Sequence, residues 1–155
     1  MNVKLSVTGV LKMNIKPFLY HSCLVVVGTG IIGASWNSSR NEGVFVTFLL
    51  MLLLHYFVGF ILSNHHSWYK NLLSVLLVLL FNFMLFMYSQ FYNNELQSLM
   101  DIVSIVYKFP FLYILGWQGP NYPLLVTFLP SALLWLGLES KLIIKSIRKK
   151  ETFIS

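Results

Sequence analysis

The chain has 155 residues, of which 57% are hydrophobic and only 10% are charged. Water-soluble domains carry about 25% charged residues, so this composition excludes an ordinary soluble domain and favours a protein dissolved in a lipid bilayer. The formal net charge of +6 does not indicate nucleic-acid binding, because the Lys and Arg residues lie between apolar runs and near the ends of the chain. They form no patch interleaved with base-stacking aromatic residues.

Four long segments without formal charge predict four transmembrane helices. A helix of roughly 20 apolar residues crosses a hydrocarbon core of about 30 Å. On this criterion the predicted spans are residues 17–36, 44–62, 72–92 and 123–144. The predicted fold class is therefore an all-α, polytopic integral membrane protein, with residues 1–155 forming a single membrane domain.

The first predicted span contains the stretch LVVVGTGIIGASW, which matches the G-x-G-x-x-G pattern of dinucleotide-binding folds. Such a site needs an acidic residue about 20 residues further on, and the sequence there is VTFLLML. Small residues also let transmembrane helices approach closely. Gly30, Gly33 and Ala34 are therefore predicted to form a packing seam against another span, a second copy or a different membrane protein. Gly59 on the second span and Gly137 on the fourth are predicted to offer shallow surfaces opposite this seam.

Two polar residues lie in the middle of predicted spans, where an unpaired polar group is costly. His55 is near the centre of the second span, and Asn82 is near the centre of the third. If these spans form an antiparallel hairpin, the two residues differ in depth by roughly 4–5 Å. We expect them to meet, either as a structural hydrogen bond or as a protonatable group on a transport or sensing path.

A second polar set is predicted at the inner leaflet, and it consists of His21, Cys23, His65, His66 and Glu139. Imidazole, thiolate and carboxylate groups are suitable ligands for zinc and other transition metals. However, no H-x-x-x-H or C-x-x-C spacing places two of them on one helix face. We interpret them as side chains that seek the membrane interface, and we assign no metal, haem or other cofactor. The single cysteine also excludes an intrachain disulfide.

An outer interfacial segment is predicted at residues 94–117, before the last span. Polar residues recur every three or four positions between Gln97 and Lys108, which predicts an amphipathic helix. We expect this helix to lie flat in the outer interface with its apolar face towards lipid. Residues 109–117 are too short to span the bilayer and are predicted to be interfacial or shallowly re-entrant.

The positions of the cations predict the orientation of the chain. If both termini are cytoplasmic, nine of the eleven Lys and Arg residues fall on the inner side, as expected from the positive-inside rule. The predicted location is the plasma membrane. Residues 145–155 form a basic cytoplasmic tail, which is expected to lie against anionic lipid.

No nucleophile elbow or paired-carboxylate pattern occurs in the sequence, so we predict that the protein is not an enzyme. The leading hypothesis is a non-catalytic accessory, immunity-type or regulatory membrane subunit. Its expected partners are lipid and either another membrane protein or a second copy, without nucleic acid. The alternative is a small carrier or channel that uses His55 and Asn82. A third hypothesis is a membrane enzyme or a metal or haem binder at the inner leaflet.

Overall fold

A computed structural model of the chain describes residues 7–35, 40–62, 67–91, 99–111 and 122–151. These ranges are almost entirely helical and contain no strand, so the all-α class is confirmed for the part of the chain that they cover. The helices are α1 (Val7–Ser35), α2 (Arg40–Ile61), α3 (Trp68–Ser74), α4 (Leu76–Phe91), α5 (Leu99–Lys108) and α6 (Tyr122–Glu151). A short 3-10 helix, Phe109–Phe111, follows α5.

Three helices are long and apolar enough to cross a membrane. They contain the candidate spans Leu11–Ala34, Glu42–Ile61 and Thr127–Ile147. A fourth candidate is the pair Trp68–Ser74 and Leu76–Tyr88, whose axes are bent by 46° relative to each other. By length and composition the chain therefore has three spans, or four if the bent pair counts as one, and these apolar helices indicate a helical bundle embedded in a membrane.

The first helix is longer than the predicted span. It begins at Val7, ten residues before the predicted start at residue 17, and Pro17 lies inside it. Proline is tolerated within transmembrane helices because neighbouring groups can satisfy the backbone carbonyl that it frees. The last helix also continues beyond residue 144, to Glu151. Consequently, residues 17–35 lie further from the start of their helix than the predicted span implies.

Cross-helix contacts give the relative directions of the first three long elements. On α1, Asn14 hydrogen-bonds to the backbone of Leu77 and His21 lies against Asn82, so α1 and α4 run in the same direction. His21 of α1 contacts His55 of α2. Further along α1, a Cβ at Gly28 would lie 2.8 Å from Sδ of Met51, which precedes His55 in α2. The order of these contacts is reversed, so α1 and α2 are antiparallel.

Helix α6 runs in the same direction as α2. Leu129 packs against the cluster formed by Met51 and Phe111, and further along both helices Lys141 donates a hydrogen bond to the backbone carbonyl of Leu62. The bundle therefore alternates in direction from α1 to α2, the α3–α4 pair and α6. This arrangement places the beginning of α1 and the end of α6 at the same end of the bundle.

Glycine permits the close contact between α2 and α6. A Cβ atom at Gly59 would collide with the backbone of Leu134, and one at Gly137 would collide with the backbone of Tyr56 and Phe60. Because side chains are absent at the crossing point, the two backbones meet directly, as small residues allow in transmembrane helix pairs. Gly59 and Gly137 thus lie against each other. The sequence predicts them opposite Gly30, Gly33 and Ala34 instead, and this is wrong for the described residues, because a Cβ at Gly30 or Gly33 has no described atom within 4 Å.

The bend between α3 and α4 is caused by a side chain from α1. Asn14 donates from Nδ2 to the carbonyl of Leu73 at 2.7 Å, and its Oδ1 accepts the N–H of Leu77 at 2.8 Å. In a continuous helix the N–H of Leu77 would bond to the carbonyl of Leu73. The Asn14 amide is inserted into this one bond and satisfies both of its ends, which is a recognised cause of a sharp kink.

Helix α5 forms within the predicted amphipathic segment, but its C-terminal end packs into the bundle. Oγ1 of Thr29 on α1 donates to the carbonyl of Val106 at 3.0 Å. Pro110 and Phe111, in the 3-10 helix, are both buried, and Pro110 lies against Gly28. The C-terminal end of α5 and the 3-10 helix therefore pack against α1. Their depth relative to the membrane stays a prediction. The remainder of the predicted outer segment, residues 94–98 and 112–117, lies outside the described residues.

Candidate functional site

Three buried polar side chains from three helices meet in the middle of the bundle. His21 comes from α1, His55 from α2 and Asn82 from α4, and we call these three residues the central polar cluster. Both imidazoles are fully buried, and Asn82 is 8% exposed. Each residue belongs to the buried stripe of its helix, where buried positions recur every three or four residues. Helical periodicity thus turns these polar groups inwards while apolar side chains cover the outside.

His21 lies between the other two members of the cluster. Its Nδ1 atom is 2.9 Å from Nε2 of His55, and its Nε2 atom is 3.3 Å from Nδ2 and 3.4 Å from Oδ1 of Asn82. The predicted pair His55 and Asn82 is therefore brought into one cluster, with His21 as the bridge between them. The sequence interpretation had placed His21 in a separate set at the inner leaflet.

The hydrogen-bond partners determine how protons are arranged in the cluster. Nδ1 of His55 lies 2.7 Å from the carbonyl oxygen of Met51, which can only accept, so this nitrogen carries the hydrogen. In a neutral ring, Nε2 of His55 is then the acceptor, and Nδ1 of His21 donates to it. Nε2 of His21 in turn accepts from Nδ2 of Asn82. The bonds therefore run in one direction, from Asn82 to Met51, and every ring nitrogen is satisfied with both imidazoles neutral.

Aromatic residues enclose the central polar cluster. The Tyr107 ring, at the end of α5, lies edge-on to His21 with a centroid separation of 5.5 Å, and it also contacts Phe81 at 4.9 Å. Phe111 lies 5.9 Å from the His55 ring. The C-terminal end of α5 and the 3-10 helix therefore form one wall of the cluster.

A pair of hydroxyl groups holds this wall against α1. Oγ of Ser22 donates to the carbonyl of Phe18 at 3.0 Å, and Oη of Tyr107 lies 2.7 Å from the same Oγ. Because the single hydroxyl hydrogen of Ser22 is used in the first bond, Tyr107 is the donor in the second. The phenol thus hydrogen-bonds to Ser22, while its ring packs on the neighbouring His21.

A second group of polar contacts lies at the end of the bundle shared by the beginning of α1 and the end of α6. Nδ2 of Asn71 donates to Oε1 of Glu139 at 3.0 Å. Nζ of Lys141 donates to the carbonyls of Leu62 at 3.0 Å and Ile61 at 3.4 Å. These two carbonyls terminate α2, and a lysine there satisfies backbone acceptors that have no partner within the helix.

The described members of the predicted inner-leaflet set are not brought together. His21 is in the central polar cluster, Cys23 is exposed and Glu139 is bonded to Asn71. His65 and His66 lie outside the described residues. Within the part of the chain that the structure describes, no three His, Cys, Asp or Glu side chains are grouped so that they could hold a metal ion.

The predicted packing seam faces away from the bundle. Among the residues that the structure describes, none has an atom within 4 Å of a Cβ at Gly30 or Gly33, and Ala34 is exposed. The seam therefore does not pack against another described helix of this chain, which was one of the predicted alternatives. The glycine of α1 that packs within the chain is Gly28, which lies against Met51 and Pro110.

Sequence reasoning missed four polar residues, Asn14, Ser22, Asn71 and Tyr107, although spacing held a signal for two of them. Asn14 precedes His21 by seven residues, and Asn71 precedes Asn82 by eleven. Both intervals are close to whole numbers of helical turns. Asn14 and His21 accordingly share one face of α1, whereas the interval from Asn71 to Asn82 crosses the bend between α3 and α4. The burial of Ser22 and Tyr107 depends on where α5 packs, which no periodicity in the sequence specifies.

No protein-family model matches this chain, and searches of curated proteins and of solved structures likewise find no match. The fold and the site define its class as a small helical membrane bundle with a buried polar cluster in its middle. The function is therefore argued from the arrangement of the residues.

Proposed function

We propose that this protein is a non-catalytic accessory, immunity-type or regulatory membrane subunit that packs laterally against another membrane protein or a second copy. The outward position of Gly30, Gly33 and Ala34 carries this proposal. A Cβ atom at either glycine would meet no atom of the described residues within 4 Å. In lipid, helices associate where small residues let their backbones approach closely. The seam is thus open to a helix from a second molecule, and lipid contacts the rest of the outer surface of the bundle.

The proposed topology has four spans, both termini in the cytoplasm and the plasma membrane as the location. Counting the bent α3–α4 pair as one span supports the number four. The alternating helix directions support placing both termini on one side. The positive-inside rule supports the cytoplasmic side, because that side then carries nine of the eleven Lys and Arg residues. A terminal tag that is reachable from outside intact cells would contradict this orientation.

We propose no catalytic role and no cofactor for the chain. The polar atoms of the central polar cluster bond to one another and to the carbonyl of Met51 rather than pointing towards an open surface. Such an arrangement is suited to fixing the packing of three helices, which is how polar groups commonly act between transmembrane helices.

Replacing Gly30 with leucine tests the lateral-packing proposal. Because nothing in the described part of the chain lies near a Cβ at this position, Gly30→Leu is expected to leave thermal unfolding in detergent unchanged while dissociating the partner. The control is Tyr20→Leu, an exposed position on the same helix about 15 Å away. Retention of the same co-purifying partner, or of the same homo-oligomer, by Gly30→Leu in mild detergent would reject the proposal.

A second candidate function is a small carrier or channel in which the central polar cluster lines the path. The observation that favours it is the contact between two fully buried imidazoles on different helices. Polar and ionisable groups inside a membrane commonly mark substrate or ion pathways. Flux measured in proteoliposomes tests this candidate. We expect His21→Leu to abolish flux and the exposed substitution Tyr20→Leu to retain it, whereas equal flux in all three proteins would reject it.

A further inference from the structure

We propose that the central polar cluster is a binding site for a single proton, which is taken up at Nε2 of His21 and stabilised by Asn82. This inference deepens the carrier or channel function proposed above. It rests on that function for the biological role of the bound proton, and not for the existence of the site. The site itself is defined by hydrogen-bond geometry. Proton uptake is measurable whether or not any substance crosses the membrane.

The neutral cluster leaves one position for an incoming proton. Two ring nitrogens lack a hydrogen when both imidazoles are neutral, Nε2 of His55 and Nε2 of His21. The first already accepts from Nδ1 of His21 at 2.9 Å, so a hydrogen on it would face another N–H group. The second faces the amide of Asn82. A proton therefore binds at Nε2 of His21, which changes that atom from an acceptor into a donor.

The amide of Asn82 provides a partner for both states. Its Nδ2 and Oδ1 atoms lie 3.3 Å and 3.4 Å from Nε2 of His21. In the neutral state Nδ2 donates to the ring, and after proton uptake Oδ1 accepts from it. Because the two distances are nearly equal, a small rotation of the amide exchanges one bond for the other. Nε2 of His21 therefore has a partner on Asn82 in both states.

Uptake stops at one proton. In the charged state Nδ1 of His21 still donates to His55, and Nδ1 of His55 still donates to the carbonyl of Met51. A second proton would have to bind at Nε2 of His55, directly facing the N–H of a charged ring. Two positive charges at this distance inside a buried site repel strongly. The pair is therefore expected to titrate as one unit.

Few other ionisable groups face the cluster. Tyr107 from α5 contacts His21, and the contacts from α4 and the 3-10 helix come from uncharged residues. On the other packed elements, Glu139 and Lys141 of α6 bond to Asn71 and to the end of α2. The other described cations of α1, α3 and α6 lie towards the end of the bundle that holds the start of α1 and the end of α6; they are Lys12, Lys16, Lys70 and Lys145. The side chains of Asp101 and Lys108 are outside the described residues.

The test follows the protonation of His21 and His55 by NMR of ¹⁵N-labelled histidine in bicelles. The full chain carries His65→Gln and His66→Gln, so that only the two cluster imidazoles report. We compare this protein with versions carrying Asn82→Asp or Asn82→Leu. A carboxylate at position 82 can only accept a bond from the charged ring, whereas leucine offers no acceptor. The expected order of proton affinity is aspartate, then asparagine, then leucine, with steps of about tenfold.

Phe83→Leu is the matched control, because Phe83 is an exposed neighbour on the same helix, and it is expected to leave the titration unchanged. A single step that shifts both imidazole signals and follows the expected order supports the proposal. Two independent one-proton steps, or equal midpoints for the asparagine and aspartate proteins, would overturn it. So would the absence of any step before acid unfolding. If Asn82→Leu does not fold, the comparison of asparagine with aspartate still decides.

The same samples separate this inference from the function on which it rests. A single shared titration together with no flux in proteoliposomes would retain the proton site and reject the carrier or channel. Flux that is lost in His21→Leu, together with two independent titrations, would retain the pathway and reject the single-proton site.

Discussion

The side-chain oxygen of Asn14 accepts the backbone N–H of Leu77 at 2.8 Å, although the two residues lie 63 positions apart in the chain. The same amide donates to the carbonyl of Leu73. Helix α1 therefore completes the hydrogen bonding of the α3–α4 junction. The 46° bend there is a product of packing between helices, and the segment that bends contains neither proline nor glycine.

Removing the Asn14 amide is expected to straighten the junction. In Asn14→Leu the N–H of Leu77 and the carbonyl of Leu73 lose their partners, and in lipid they can be satisfied by bonding to each other. Oriented-sample NMR of ¹⁵N-labelled protein should show two tilts for α3 and α4 in the native chain and one tilt in the variant. Ile15→Leu, an exposed neighbouring change, should keep two tilts. Persistence of both tilts in Asn14→Leu would assign the bend to another cause.

Two glycine substitutions should differ sharply in their effect on stability. Gly59→Ala places a methyl group against the backbone of Leu134, which cannot move aside as a side chain can. We expect its free energy of unfolding to fall by about 1–3 kcal/mol. Gly30→Ala places a methyl group where the described part of the chain has no atom within 4 Å. It should be neutral, or stabilising by up to about 1 kcal/mol, because alanine favours helix. Unfolding in mixed micelles by SDS measures both, and equal effects would refute the α2–α6 crossing.

The hydrogen bond between His21 and His55 should give a coupling energy in a double-mutant cycle on the free energy of unfolding. Each single change to phenylalanine leaves the other imidazole with an unpaired nitrogen, whereas the double change leaves neither ring. The double variant should therefore be more stable than the sum of the single losses implies, by about 0.5–2 kcal/mol. His21→Phe combined with Thr47→Val is the control, since Thr47 bonds to its own helix at Gly43. Strict additivity of the histidine changes would show that the rings are not paired.

The hydroxyl pair at Ser22 and Tyr107 is expected to hold α5 in the bundle. Removing either hydroxyl by Ser22→Ala or Tyr107→Phe should cost about 1 kcal/mol of local stability. Amide hydrogen exchange in α5 would then accelerate by roughly fivefold, and the double variant should accelerate no further than either single one. Tyr20→Phe removes a phenol from an exposed position of α1 and should have no effect. Unchanged exchange in all variants would mean that ring packing alone retains α5.

The membrane class and the approximate helices follow from composition, because a chain with so few charged residues can bury its apolar length only in lipid. The second helix illustrates this: its predicted span, residues 44–62, falls almost wholly within α2 (Arg40–Ile61). The bend at Val75 was not predictable in the same way. Its cause is Asn14, which acts from another helix across a distance that local sequence patterns do not encode.

The candidate site was half predictable. Equal depth on adjacent spans predicts that His55 and Asn82 meet each other, whereas in the structure each of them contacts His21. His21 was assigned to the inner leaflet because its depth was counted from residue 17, whereas α1 begins at Val7. Shifting the start moves His21 towards the middle of its span. The contact from Tyr107 follows from the inward turn of α5, which is a property of the assembled bundle.

The direct meeting of α2 and α6 at Gly59 and Gly137 has a consequence for biosynthesis. The ribosome makes α2 well before α6, so the surface of α2 that α6 finally covers must first be shielded by lipid or by the insertion machinery. Chains halted before α6 would display an uncovered glycine notch on α2. Helix α6 therefore closes this face of α2, and the pairing of these two helices is completed only after α6 has been made.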